Sequence, residues 1–453
     1  MKESCQILAE NHPFLQHNEG ESTVVNYKKI IEILNDNMVL ASGCTEPGAI
    51  ALTAAAAAEQ LGETVETLQV IASGNIIKNA YSAGIPGTGL TGIEYAAALG
   101  ALVAQPEKQL EVIVGITDEQ LSIAKEMVAA KKVTLDLNKS PEKLYIEVIA
   151  KSANHCAKAI VAKAHTNLCY VEKDGEVVLD KRGPAAEAGA KSYNVQEELS
   201  VTKIYEFATT VDVEELKIIQ QSVEVNSAIA AEGMLNDYGL MVGKSMEKEI
   251  KSGIRAYDAI NYSMMIAAAA ADARMAGAPF SVVTNSGSGN QGIASSVPSI
   301  AIAEYMGKNR EELLRAVAIS SLMAIYIKTQ FGKLSAFCGA TVAAAGTAAA
   351  ITYMMGGGVK EMEYSVFNMI GNVTGMCCDG AKPDCALKIA TCVNAAWQAA
   401  LLAMKGIRVR SNEGIVDEDV DQTIRNFCVL GNEGSVELDR LMLDIMLEKA
   451  NRC

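Results

Sequence analysis

The chain has 453 residues, enough for two or three domains and a large core. Half of it is hydrophobic, which excludes disorder as a description of the whole. Acidic residues outnumber basic ones, 54 to 39, for a net charge of −15, and no basic run or aromatic-interleaved basic patch occurs, so a nucleic-acid-binding surface is not expected.

Residues 1–26 read as a polar N-terminal extension. They lack the cationic start and apolar run of a secretory signal, so a cytoplasmic location is expected. The eleven cysteines would then sit in a reducing compartment, where abundant thiols point to metal binding or catalysis before disulfides. Residues 27–61 read as helical. Ile30, Ile31, Ile33 and Leu34 form an apolar face, the run Gly43-Cys44-Thr45-Glu46-Pro47 breaks it, and an alanine-rich helix resumes. Pro47 suits the first turn of that helix, with Cys44 or Thr45 as its cap.

From residue 63 to about 208 the texture changes to short β-rich runs. These fall at 65–72, 110–114, 133–137, 144–150 and 159–164, followed by a hairpin turning at Asp174-Gly175, with a helical pattern at 118–131. From 213 onward the chain is helix-dominated and rich in Ala, Gly and Met. The expected fold class is α+β: an Ala/Gly-rich helical catalytic domain (27–61 and 213–453) with an inserted α+β domain (62–212). The uncharged stretch 334–359 is long enough to span a bilayer. It is mostly Ala, Gly, Thr and Ser and lacks aromatic or basic flanks, so it reads as a buried central helix and no membrane association is expected.

Chemistry-bearing residues fall in several segments. Cys338 lies in Leu334-Ser335-Ala336-Phe337-Cys338-Gly339, Cys377 and Cys378 in Gly375-Met376-Cys377-Cys378-Asp379-Gly380, and Cys385 follows after a gap of six residues. Thiolates of this kind select iron–sulfur clusters, zinc or Cu(I), and the last gap fits zinc pairs poorly. Spacing by itself leaves metal binding and simple burial of small apolar thiols both open. Cys44, at a helix start, is placed for a lowered thiol pKa and so for a base or ligand, with a buried cap as the plainer alternative. The run Thr284-Asn285-Ser286-Gly287-Ser288-Gly289-Asn290-Gln291-Gly292 is a dense set of donors able to cradle a carboxylate or phosphate. Pro86-Gly87-Thr88-Gly89 reads equally well as a plain turn. Asn75, Lys78 and Asn79 fall at helical spacing, and His165-Thr166-Asn167 ends an expected strand.

Read together, these segments resemble the L-cysteine desulfidase family, which is related to the α subunit of iron–sulfur L-serine dehydratases. Asn412-Glu413-Gly414-Ile415-Val416 adds to the match, which runs in family order from about residue 27 to the C-terminus. The resemblance implies pyridoxal-independent β-elimination of L-cysteine to sulfide, ammonia and pyruvate. It implies a [4Fe–4S] cluster held by Cys338, Cys378 and Cys385, with Cys44 as base or as a fourth ligand. Lys78 would assist catalysis. Asn75, Asn79, His165, Asn167 and the loop residues Asn285, Ser286, Gly287, Ser288, Gly289 and Asn290 would bind the amino-acid substrate. Cys377 has no family role, and Cys453 lies outside the match. Dehydration of L-serine on the same site is the near variant. A pyridoxal-phosphate β-eliminase, suggested by Ser288-Gly289-Asn290, and a non-enzymatic iron–sulfur sensor are the rivals. A homo-oligomer is expected.

Overall fold

The computed structural model describes residues 25–43, 45–138, 142, 144–182, 193–331 and 337–450. Of the sequence expectations, those on Cys44, on Cys453, on residues 334–336 and on residues 1–24 lie outside the described residues.

The chain opens with α1 (Tyr27–Asn37), capped by the Asn26 side chain, which accepts from Lys29 N–H and leaves Ile30, Ile33 and Leu34 buried on one face. A three-residue strand, β1 (Leu40–Ser42), precedes α2 (Thr45–Leu61), a helix buried almost all round because seven of its seventeen residues are alanine. Then come β2 (Thr67–Ser73), α3 (Gly74–Ala80), α4 (Ile93–Val103) and α5 (Asp118–Ala129), the last opened by a reciprocal Thr117/Gln120 cap. Strands β3 (Val133–Asn138), β4 (Tyr145–Lys151), β5 (Cys156–Ala162), β6 (Leu168–Lys173) and β7 (Glu176–Asp180) follow.

These strands make a six-stranded mixed sheet in the order β3-β2-β4-β5-β6-β7, parallel between β2 and β3 and antiparallel elsewhere. Alternate residues point to one face. Leu68, Val70 and Ala72, Ile146, Val148 and Ala150, and Ala157, Ala159 and Val161 are buried there against α2, α4 and α5. Helix α2, grouped by sequence with the helical zone, thus shares its core with the sheet. The hairpin turns at Asp174 and Gly175 with φ of 51° and 84°, the left-handed pair that a two-residue turn demands.

One expected strand is absent. Residues 106–111 form a 3-10 helix led by Pro106, and 112–115 are turn. Val112 and Ile113 are buried, but they pack beside α2, where Gly48 lets the Leu110 carbonyl approach its backbone. The β-branched run at 110–114 reflects burial rather than pairing.

After one helical turn at Val195–Glu198, the rest of the described chain is helical apart from loops and one three-residue strand. It runs through α6 (Val201–Thr210), α7 (Lys217–Leu235), α8 (Val242–Lys251), α9 (Ala259–Met275), α10 (Gly289–Met306), α11 (Arg310–Phe331), α12 (Gly339–Met354), α13 (Val359–Asn372), α14 (Cys385–Ala403), α15 (Val420–Val429) and α16 (Val436–Ala450). Helices α9, α10, α12 and α14 are lined with alanine, and small side chains let their axes approach closely. The described part of the uncharged 334–359 stretch is α12, whose residues are buried in this body. Among the described residues, α14 is long and apolar enough by length and composition to cross a membrane, and it too is packed mostly inside. The architecture is α+β.

Between α9 and α10 a second three-residue strand, β8 (Ser281–Val283), pairs antiparallel with β1. That pairing fastens the approach to α2 alongside the loop that enters α10. Thr284 continues it, donating through both N–H and Oγ1 to Val39 O.

Candidate active site

The three cysteines singled out on sequence come together from three segments. Cys338 is the N-cap residue of α12 and Cys385 is the first residue of α14, so two helix N-termini face the same place. Phe337 bridges Cys377 in a short antiparallel contact, and Cys338 N–H donates to Met376 O at 2.7 Å. This sets Cys338 against Cys378, and the two thiols are hydrogen-bonded. That bond, with help from the Lys78 and Lys388 ammonium groups, holds the Cys378 thiol down to about 6 despite its burial. Cys338, on the other side of the bond and buried, is pushed well above the usual thiol range. Burial also pushes Cys385 up, opposed by a backbone hydrogen bond with Lys382. The mutual hydrogen bond of Cys338 and Cys378 and their burial thus make Cys378 the more acidic of the pair and Cys338 the less.

The remaining described cysteines behave differently. Cys377 is exposed. Cys392, two turns into α14, lies against Thr341, and Cys428 lies against Ile327 O; burial pushes both to about 12. These two are small apolar fillers.

Helix α3 delivers Asn75, Lys78 and Asn79 beside the thiols. Gly380, two residues after Cys378, lies flat on the Lys78 carbonyl, with φ of 99°. The Lys78 side chain is buried and its Nζ is ion-paired with Asp439 of α16. This ammonium is therefore a fixed positive charge beside Cys378. Asn79 Nδ2 donates to Glu46 Oε1 at 3.2 Å, Thr45 Oγ1 donates to Glu46 Oε2 at 2.9 Å, and His165 Nε2 lies 3.9 Å from Glu46 Oε1. His165 Nε2 is buried and makes no hydrogen bond among the described residues. Glu46, part of the sequence motif but not singled out, is the hub of this group at the start of α2. Asn75 is half-buried on the same helix. Asn167 does not join the site: it is exposed and its amide donates to Ala162 O at 2.9 Å, closing the β5–β6 turn.

The Gly/Ser loop forms the third wall. Asn285 is fully buried and works inward: its Nδ2 donates to Ser321 O, and its Oδ1 accepts from Gln291 Nε2 and Ser286 Oγ. Ser286 and Gly287 take left-handed backbone conformations, φ 49° and 82°. Ser288 caps α10, accepting from Gln291 N–H. Gly289 packs against Arg274, and Asn290 accepts from Arg274 Nη1 while donating to Met275 Sδ. Met275, Ala83 and Cys385 share one small apolar cluster, which links this loop to the thiols. The turn 86–89 is tied here as well, Gly87 N–H donating to Gly277 O at 2.9 Å.

Arg274 was not apparent from the sequence. It is a lone cation in a run of alanines, and its 5 % exposure is the property that a linear reading cannot supply.

Among the described residues no three His, Cys, Asp or Glu side chains close up to the spacing of a single metal ion. A cluster of several irons calls for soft sulfur donors rather than a closed cage for one ion. Cys338, Cys378 and Cys385 fit such a group by donor chemistry: three soft sulfur donors, two helix N-termini and a fixed lysine charge suited to a set of thiolates.

Residues 107–444 match the model of the family described as serine dehydratase alpha chain. The chain is 44% identical over 422 residues to a UPF0597 protein of Parabacteroides distasonis, covering 93% of this chain and 98% of that protein. It is 41% identical to a UPF0597 protein of Oleidesulfovibrio alaskensis, again over 93% of this chain and 98% of the other. A UPF0597 protein of Chromobacterium violaceum is 39% identical over 95% of this chain and its own full length.

Proposed function

Because the chain belongs to the serine dehydratase alpha chain family, we propose that it is a lyase performing pyridoxal-independent β-elimination on a small amino acid, with L-cysteine as substrate. The observation that carries this reading is the meeting of Cys338, Cys378 and Cys385 from three segments, against Lys78 and the loop 284–290.

Cys338, Cys378 and Cys385 would hold a [4Fe–4S] cluster. Such a cluster supplies a Lewis acid that makes the β-substituent a better leaving group. The protein's own residues do the rest. The α-proton of an amino acid is weakly acidic, so a base must stand over it. Cys44, the residue before Thr45 in the sequence, is that base in this reading. The Cα–H electron pair forms the new C=C bond as the Cβ–S bond breaks, giving sulfide and 2-aminoacrylate; water then releases ammonia and pyruvate. Lys78, held in place by Asp439, keeps a positive charge beside Cys378. Glu46 ties Asn79 and His165 to the start of α2, where they can hold the substrate amine. The loop backbone from Ser286 to Asn290 is shaped to close over the other end.

The family match favours L-serine as the second substrate, since the same elimination expels water in place of sulfide. All eight described cysteines are free, which suits the reducing cytoplasm. The test is anaerobic reconstitution with iron and sulfide, followed by assays of sulfide and pyruvate from L-cysteine and of pyruvate from L-serine. Bound iron with turnover of either amino acid supports the reading. Bound iron without turnover indicates a sensor, and turnover dependent on added pyridoxal phosphate indicates the rival enzyme class.

A further inference from the structure

Arg274 ends α9 with its guanidinium buried, 5 % exposed, and no carboxylate pairs with it among the described residues. Of its five N–H donors, Nη1 donates to Asn290 Oδ1 at 3.2 Å and Nη2 to Gly43 O at 3.1 Å, while Nε is buried without a partner. Both acceptors are neutral. They fix the guanidinium in place without cancelling its charge, and a buried charge left uncancelled is strongly disfavoured. The acid two residues earlier on the same helix is not its partner. Asp272 Oδ2 accepts Gly243 N–H at 3.0 Å.

The surroundings of this cation belong to the candidate site. Gly289 makes room for it: a Cβ there would sit 2.2 Å from Nε. Met275, the next residue along, packs with Cys385 and accepts from Asn290 Nδ2. Gly43, on its other side, directly precedes Cys44. The cation therefore lies between Gly43 and the Gly/Ser loop, next to the residue that packs with Cys385.

We propose that Arg274 docks the α-carboxylate of the substrate. This deepens the β-elimination reading and rests on it. An anion is what a fixed, uncancelled guanidinium requires, and a carboxylate matches its planar fork. The assignment makes a free α-carboxylate the recognition element, so amides and esters of the same amino acids are excluded. It also gives the loop a narrower task, in which Gly289 and Asn290 position the arginine.

The test uses L-alanine, which has no leaving group and binds without turnover, and L-alaninamide, which lacks the carboxylate. Titration calorimetry on the full-length, anaerobically reconstituted protein should show L-alanine binding at least 30-fold tighter than the amide, the scale of a charge-assisted hydrogen-bond pair. Arg274→Gln should weaken L-alanine at least 30-fold and leave the amide within about threefold, with Arg274→Lys falling between. For L-cysteine or L-serine, KM should rise much more than kcat falls. Equal binding of acid and amide by the unaltered protein would overturn the proposal, and so would normal L-alanine binding by a folded Arg274→Gln. Should the glutamine variant not fold, the acid-against-amide comparison on the unaltered protein still decides. Arg274-dependent binding of L-alanine with no turnover of L-cysteine or L-serine would uphold the proposal while defeating the β-eliminase reading.

Discussion

Gly380 lies against the carbonyl of Lys78 so closely that a Cβ on it would stand 2.0 Å from that oxygen. The contact couples the loop carrying Cys378 to the helix carrying Lys78. Gly380→Ala must push that loop away, because backbone oxygen on a buried helix has nowhere to retreat. A loss of about 1–3 kcal/mol is expected for such overpacking, together with iron bound at less than half the normal level after reconstitution. Gly406→Ala is the control: it has φ of 71° but open space where a Cβ would go. It should lose stability from backbone strain and keep its iron. Thermal melts and iron quantification on both variants check this.

The Lys78–Asp439 pair is asymmetric. The lysine side chain is 3 % exposed and the aspartate 27 %. Removing the acid strands a charge inside the protein, whereas removing the base leaves a carboxylate that can reach water. Asp439→Asn should therefore cost roughly 2–4 kcal/mol and Lys78→Met less than about 2 kcal/mol. Denaturant titration of the two single variants reads the order, and the reverse order would show that the aspartate is the stranded partner.

The cysteines divide by the same logic. Cys338→Ala, Cys378→Ala and Cys385→Ala should each lose both iron and turnover. Cys392→Ala and Cys428→Ala should keep iron and cost about 1–2 kcal/mol for the small cavity left behind. Cys44→Ala should keep iron and lose turnover by about two to four orders of magnitude, the worth of a general base. Iron retention with normal turnover in Cys44→Ala would remove it as the base, and loss of iron would make it a ligand.

Asp272 supplies a pH dependence. Its carboxyl is buried, and burial pushes its pKa up to about 6, opposed by backbone N–H donors led by Gly243. In the unfolded chain it titrates near the usual value of about 3.9. Between about pH 4 and 6 the folded protein therefore holds a proton that the unfolded chain has lost. Stability should fall as pH rises through that window, by at most roughly 3 kcal/mol. Asp272→Asn keeps an oxygen for Gly243 and should flatten the slope. Urea midpoints at pH 4.5 and pH 7, paired values for the two proteins, test it; an unchanged slope would assign the dependence to other groups.

The sheet was legible because its strands alternate. Leu68, Val70 and Ala72 announce one face, and Asp174-Gly175 announces the hairpin. Strands β1 and β8 were not, because three residues carry no period and their partners are remote in sequence. The run at 110–114 misled because β-branched composition reports burial as readily as strand pairing. At the site, the cysteines and the Gly/Ser loop stood out by residue type. Arg274 and the Lys78–Asp439 pair did not, since a lone charge in a helix shows its depth only once neighbouring helices surround it. Asn167 stood out by position and proves to be turn chemistry.

The β1–β8 ladder has a further consequence for the order in which the molecule is built. Thr284 reaches back across 245 residues to Val39, and Lys78 reaches forward across 361 to Asp439. On a translating ribosome the segment before α2 waits unpaired while the whole six-stranded sheet and half the helices emerge, and Lys78 of α3 waits for its Asp439 partner until α16 is made. The local sheet can fold early, but the walls of the site cannot meet until the segment around Asp439 has emerged.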